Sequence, residues 1–140
     1  MNIDGVSNGI VIDHIQAGKS MVIYELMHLD KLDSCVAVIQ NATSSKYGKK
    51  DVIKIDENID LDYDILGYID TNITVNIIED GKLARKLHMD LPANLKNIVK
   101  CINPRCITSV EQEIEHSFKL VDRQKKIYRC EYCDAEHRVK

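Results

Sequence analysis

Four cysteines near the end of the chain constrain it most. Cys101 and Cys106 are separated by four residues, Cys130 and Cys133 by two, and 23 residues lie between the pairs. Two close pairs of thiols joined by a long insert suit a tetrahedral metal site, each pair on a tight turn. Zinc takes four thiolates at a structural site, and its binding free energy becomes folding free energy. One structural Zn2+ per chain is therefore expected, held by Cys101, Cys106, Cys130 and Cys133. Four sulfur ligands leave no open position for catalysis. Two disulfides, four unconnected thiols or an iron–sulfur cluster are the alternatives. A redox role for Cys130-x2-Cys133 is disfavoured, because that motif belongs at the start of a helix in a βαβ unit. The fifth cysteine, Cys35, falls in a strand pattern and is expected to be a small buried hydrophobe.

The cysteines also divide the chain of 140 residues. Residues 1–92 hold 9 Lys/Arg against 15 Asp/Glu, and residues 93–140 hold 10 against 7. The overall charge of −3 is thus an average of an acidic part and a basic one. With Cys35 alone in the first part, this shift predicts two modules, 1–92 and 93–140, joined near Pro92. A module of under 50 residues seldom has enough core to fold unaided, and a metal supplies the missing crosslink. With 44% hydrophobic and 29% charged residues, the composition is that of a soluble globular protein. The apolar runs are too short to span a bilayer, and the N-terminus lacks the basic and apolar regions of a signal peptide. A cytoplasmic protein without a membrane partner is expected.

The first module reads as alternating strands and helices. Residues 9–15 (GIVIDHI), 35–42 (CVAVIQNA), 51–57 (DVIKIDE) and 71–78 (TNITVNII) are expected strands. Helical spacing is found over 19–29 and again at Leu61, Ile65 and Ile69. Glu79-Asp80-Gly81-Lys82 is a hairpin turn leading to a fifth strand, LARKLHM. The order β-α-β-β-α-β predicts a ferredoxin-like domain, so the class is α+β with a small β-rich zinc domain behind it. Fold alone names no function.

No nucleophile–base pair or informative carboxylate couple is present, so no catalysis is expected. Gly18-Lys19-Ser20 resembles the end of a phosphate-binding loop, but Asp13 stands where that motif needs glycine. His14, Lys54 and Lys86 are placed to converge on one face of such a sheet, where cations would hold a polyphosphate. The basic second module, with Tyr128, Arg129 and Tyr132 near its knuckles, admits another reading, a zinc-ribbon nucleic-acid-binding regulator. A net of +3 on 48 residues is modest for that role.

The runs KCINPRCIT (100–108) and RCEYCD (129–134), with Glu111 and Phe118, resemble the zinc domain of aspartate carbamoyltransferase regulatory chains. NGIVIDHI, GKKDVIKID, ITVNIIEDGK and the LP at 91–92 resemble the nucleotide-binding domain of the same family, in order and spacing. The resemblance implies a non-catalytic regulatory subunit that binds the effectors ATP, CTP and UTP and controls the first committed step of pyrimidine biosynthesis. It places Val11, Asp13 and His14 in the effector site, with Asp13 toward the sugar or base and His14 toward the phosphates. Lys54 matches a lysine near ribose and base, Lys86 the triphosphate lysine, and Lys50 a second lysine of the KKD motif. Ile3 and Val6 match a segment that packs on the base, while Thr74, Asn76, Ile78 and Leu83 match the bordering strands. The resemblance further implies a regulatory homodimer within a dodecamer of six catalytic and six regulatory chains. The zinc module would dock on the catalytic chain, and no nucleic acid is expected as a partner.

Overall fold

Strand β1 (Gly9–Gln16) is apolar on both sides, and a strand of that kind has to be central. In the computed structural model, which describes residues 7–45 and 48–139, it is. β1 lies between β3 (Gly48–Ile55) and β4 (Thr74–Glu79), antiparallel to both. Outside these lie β2 (Val36–Ser44) and β5 (Lys82–His88), so the sheet order is β2-β3-β1-β4-β5. Helices α1 (Ser20–Leu26) and α2 (Tyr63–Ile69) supply Ile23 and Leu66 to a core with Ile10, Ile12, Ile15, Ile53, Ile55, Val75 and Ile77. Both helices therefore cover one face. The first four strands and two helices form the split β-α-β-β-α-β arrangement, with β5 added at an edge.

Local chemistry sets the element ends. The helical pattern from residue 19 stops early because His28 turns left-handed at φ 53°, and Leu29–Lys31 form a short 3-10 turn instead. Leu61 precedes α2 rather than lying in it, because Asp62 caps the helix and accepts the Asp64 and Ile65 amides at 3.1 and 3.3 Å. At Gly67 the backbone of Asp90 passes so close that a Cβ would overlap its carbonyl oxygen. Asp80 and Gly81, at φ 52° and 75°, form the two-residue turn between β4 and β5.

Asp51 is the main polar anchor of this unit. Its fully buried carboxylate accepts the amides of Gly18 (3.0 Å), Ser20 (3.2 Å) and Asn41 (3.0 Å). One side chain thus ties the β1–α1 turn, the first turn of α1 and a bulge in β2 to β3. Burial pushes this carboxyl up, but the donated amides outweigh it and hold it below the ordinary carboxylate value.

Cys35 corrects one expectation. It lies just before β2 and is exposed. β2 is an edge strand along which exposed and half-buried residues mix, so strand character there does not bring burial.

The chain divides into two compact units, Met1–Asp90 and Leu91–Lys140. The second is an antiparallel sheet in the order β6-β7-β8-β9, from β6 (Asn94–Lys96), β7 (Ser117–Asp122), β8 (Ile127–Cys130) and β9 (Glu136–Arg138). A four-residue helix, α3 (Ile107–Val110), follows the first knuckle. The apolar centre is small: Leu95, Phe118, Ile127 and Tyr128. The Tyr128 hydroxyl donates to the Pro92 carbonyl at 2.6 Å and Arg123 donates to that of Leu91 at 3.1 Å, which stitches the entering chain onto the sheet.

Candidate functional site

The face of the first sheet that the two helices leave uncovered carries a row of matched residues. Val11 stands opposite Lys54 on β3 and opposite Asn76 on β4, and Asn76 stands opposite Lys86 on β5. Directly paired residues point to the same side, so Lys54, Val11, Asn76 and Lys86 form one line across four strands. With strands about 4.8 Å apart, the two lysines are rooted roughly 14 Å from each other and flank the strip between them. Lys54 is half-buried and Lys86 exposed. Val11 and Ile78 are buried together with Val52, and Ile39 packs against them. The Asn76 Oδ1 atom is buried without a hydrogen-bond partner among the described residues. Leu83, opposite Ile78, is 52% exposed. Ile3 and Val6 lie outside the described residues.

Asp13 and His14 are neighbours, and in a regular strand their side chains would point to opposite faces. A bulge in β1 between Ile12 and Ile15, with His14 at φ 58°, prevents this. Asp13 pairs with Thr74 across β4, and the Thr74 Oγ1 atom is 2.9 Å from His14 Nδ1. Both side chains thus serve the helix-free face. Asp13 Oδ1 accepts the His14 amide at 2.7 Å and lies 3.0 Å from Lys50 Nζ. Burial raises the Asp13 carboxyl, but the Lys50 ammonium and the His14 amide outweigh it, so it stays below its ordinary value. Beyond the bulge, His14 also lines a cavity of about 530 Å³ shared with Gln16, Lys49, Asp70 and Asn72.

The second unit gathers its four thiols into one cluster, with all four sulfurs within 4.8 Å of one another. Cys101 Sγ is 3.5 Å from Cys133 Sγ, and Cys106 Sγ is 3.7 Å from Cys130 Sγ. Zinc–sulfur bonds of about 2.3 Å in a tetrahedron require sulfurs about 3.8 Å apart, so the donor set fits one zinc ion. All four thiols are free, and Cys101, Cys106 and Cys130 are buried. The turns come from local hydrogen bonding. Asn103 Oδ1 accepts the Arg105 amide at 3.1 Å, and the Ser109 hydroxyl donates to the Asn103 carbonyl at 2.7 Å. The Thr108 hydroxyl lies 3.0 Å from Cys106 Sγ and holds that thiol down at about 6. Burial pushes Cys101 up to about 12. A dication placed among the sulfurs supplies the charge that lets all four ionise together.

Sequence reasoning missed several supporting residues. Val52 and Ile39 lie behind Val11, and the alternation in β3 was the signal for the former. Thr108 and His116, whose Nδ1 accepts the Cys101 amide at 3.3 Å, brace the knuckle. Nothing in the local sequence around His116 marks it.

Comparison with known proteins bears on both units. Residues 1–90 match the family model for the allosteric domain of the aspartate carbamoyltransferase regulatory chain, and residues 93–140 match the model for its metal binding domain. Proteins named aspartate carbamoyltransferase regulatory chain are similar over nearly the full length. That of Clostridium acetobutylicum is 52% identical over 134 residues, covering 96% of this chain and 92% of the relative. That of Clostridium tetani is 46% identical, covering 99% and 97%. That of Bifidobacterium longum is 39% identical, covering 99% of this chain and the whole relative.

Proposed function

Since the chain belongs to the family of aspartate carbamoyltransferase regulatory chains, we propose that it is a non-catalytic subunit that binds a nucleoside triphosphate and passes the effect to a catalytic chain. The effector domain is 1–92, and the zinc domain, 93–140, docks on the catalytic chain. The observation that carries the nucleotide reading is the row Lys54–Val11–Asn76–Lys86 on the helix-free face, with Asp13 and His14 turned to the same side by the bulge. Two cations flank an apolar strip and a buried amide oxygen without a partner among the described residues, which suits a ligand with an anionic tail, a polar sugar and a flat base.

ATP, CTP and UTP share the triphosphate, so the lysines supply common affinity and base contacts have to separate their effects. An effector alters the catalytic chain only through different affinities for two states of the assembly. The regulatory chains pair into homodimers, by way of the exposed β2 edge, within a cytoplasmic dodecamer of six catalytic and six regulatory chains that acts in pyrimidine biosynthesis.

Calorimetry tests the site. Lys54→Ala and Lys86→Ala are each expected to weaken ATP and CTP by about tenfold, the worth of one charge-assisted hydrogen bond, without changing zinc content. Unaltered affinity in both variants refutes the site.

A further inference from the structure

The sulfurs of the second unit are not held alike. A backbone amide two residues on addresses three of them: Asn103 on Cys101, Thr108 on Cys106 and Tyr132 on Cys130. Among the described residues, only Cys106 also faces a hydroxyl, that of Thr108, with Oγ1 3.0 Å from its Sγ. Both residues are buried, Thr108 at 3% and Cys106 at 2% exposure. The neighbouring hydroxyl, on Ser109, goes instead to the carbonyls of Asn103 (2.7 Å) and Cys101 (3.5 Å).

We infer that Thr108 is a positioning residue for the metal, whose hydroxyl donates to the Cys106 thiolate and favours the metal-bound state. A sulfur bound to zinc is deprotonated and can only accept, so the hydroxyl has to donate. Four thiolates around one Zn2+ leave two net negative charges in a site where three of the four sulfurs are buried. Buried negative charge is costly unless hydrogen bonds take part of it up, and a donated O–H is worth more to a thiolate than to a neutral thiol. The bond also fixes the direction of the sulfur. Cys106 is the N-cap of α3 and Thr108 lies in the first turn of that helix, so the helix itself holds the ligand toward the other three. Ser109 braces the same knuckle without touching a sulfur, and the role of Thr108 is independent of nucleotide binding.

Two measurements on the full-length chain separate this role from packing. Chelator competition gives the zinc affinity, and Co2+ loaded in place of zinc reports on the sulfurs through its sulfur-to-metal absorption band. Thr108→Val is expected to weaken zinc by about ten- to a hundredfold, the usual cost of losing an outer partner of a metal ligand. It is also expected to move the Co2+ band to longer wavelength, because a thiolate relieved of a hydrogen bond gives up an electron more readily. Thr108→Ser keeps the hydroxyl and is expected to retain both values. Ser109→Ala is expected to leave the band in place, whatever it costs in affinity. If Thr108→Val takes up no metal, Thr108→Ala, which brings no added bulk, gives the same two readings. Parent-like affinity and band in the variant without the hydroxyl overturn the inference. So does weakened affinity with an unshifted band, which makes Thr108 a packing residue of the helix, and so does a serine variant that behaves like valine.

Discussion

Thr74 stands directly opposite Asp13 across the β1–β4 ladder, yet its hydroxyl reaches the next residue, lying 2.9 Å from His14 Nδ1. The bulge makes this possible. Bonded there, the imidazole has a defined orientation, and its second nitrogen is directed by a residue sixty positions away in the chain.

Thr74→Val removes the hydroxyl while keeping the shape of the side chain. It is expected to lower ATP and CTP affinity about three- to tenfold, the worth of a neutral hydrogen bond. Thr74→Ser is expected to retain affinity. Equal affinity of the valine and serine variants, measured by calorimetry, contradicts a role for the hydroxyl in holding His14.

Removal of zinc is expected to separate the two units. The small centre around Phe118 and Tyr128 is too little to fold alone, and a structural zinc contributes roughly 10 kcal/mol or more. Chelation is expected to unfold the second unit and release the chain from its catalytic partner, while the first unit keeps its own core and its nucleotide binding. Apo protein that still co-migrates with the catalytic chain runs against this.

Asp51 makes acid stability testable. Its carboxyl is held below 3.8 when folded, so its contribution is present above that pH and is lost as the pH falls through the folded value. Asp51→Asn removes the charge that three amides address and is expected to cost about 1–3 kcal/mol at neutral pH. The gap between variant and parent is expected to narrow as the pH falls below about 4, where the unfolded carboxylate takes up its proton, and to close as the pH passes through the lower folded value. Denaturant melts at pH 7 and pH 3 measure it, and a gap that stays constant counts against the assignment.

What was legible in the sequence came from local spacing. A zinc ligand set needs thiols at fixed short intervals, and Cys101, Cys106, Cys130 and Cys133 announce it without any knowledge of the sheet. A β-branched run in GIVIDHI and period-two facing in DVIKIDE make strands, and the Asp80-Gly81 turn needs only its two residues. The order of these elements then leaves few antiparallel sheets to choose from. Cys35 shows the limit, because its exposure follows from β2 being an edge, which no local pattern states.

The tertiary structure decided what depends on register between distant strands. The sequence places Asp13 next to His14 and Lys50 within a basic run, but not Asp13 against Lys50 or His14 against Thr74. Those pairs exist because one extra residue in β1 shifts its alignment with β3 and turns two adjacent side chains to one face. A register shift of a single residue is energetically specified only when the whole sheet packs, since it is the burial of Ile12 and Ile15 on the other side that holds it in place.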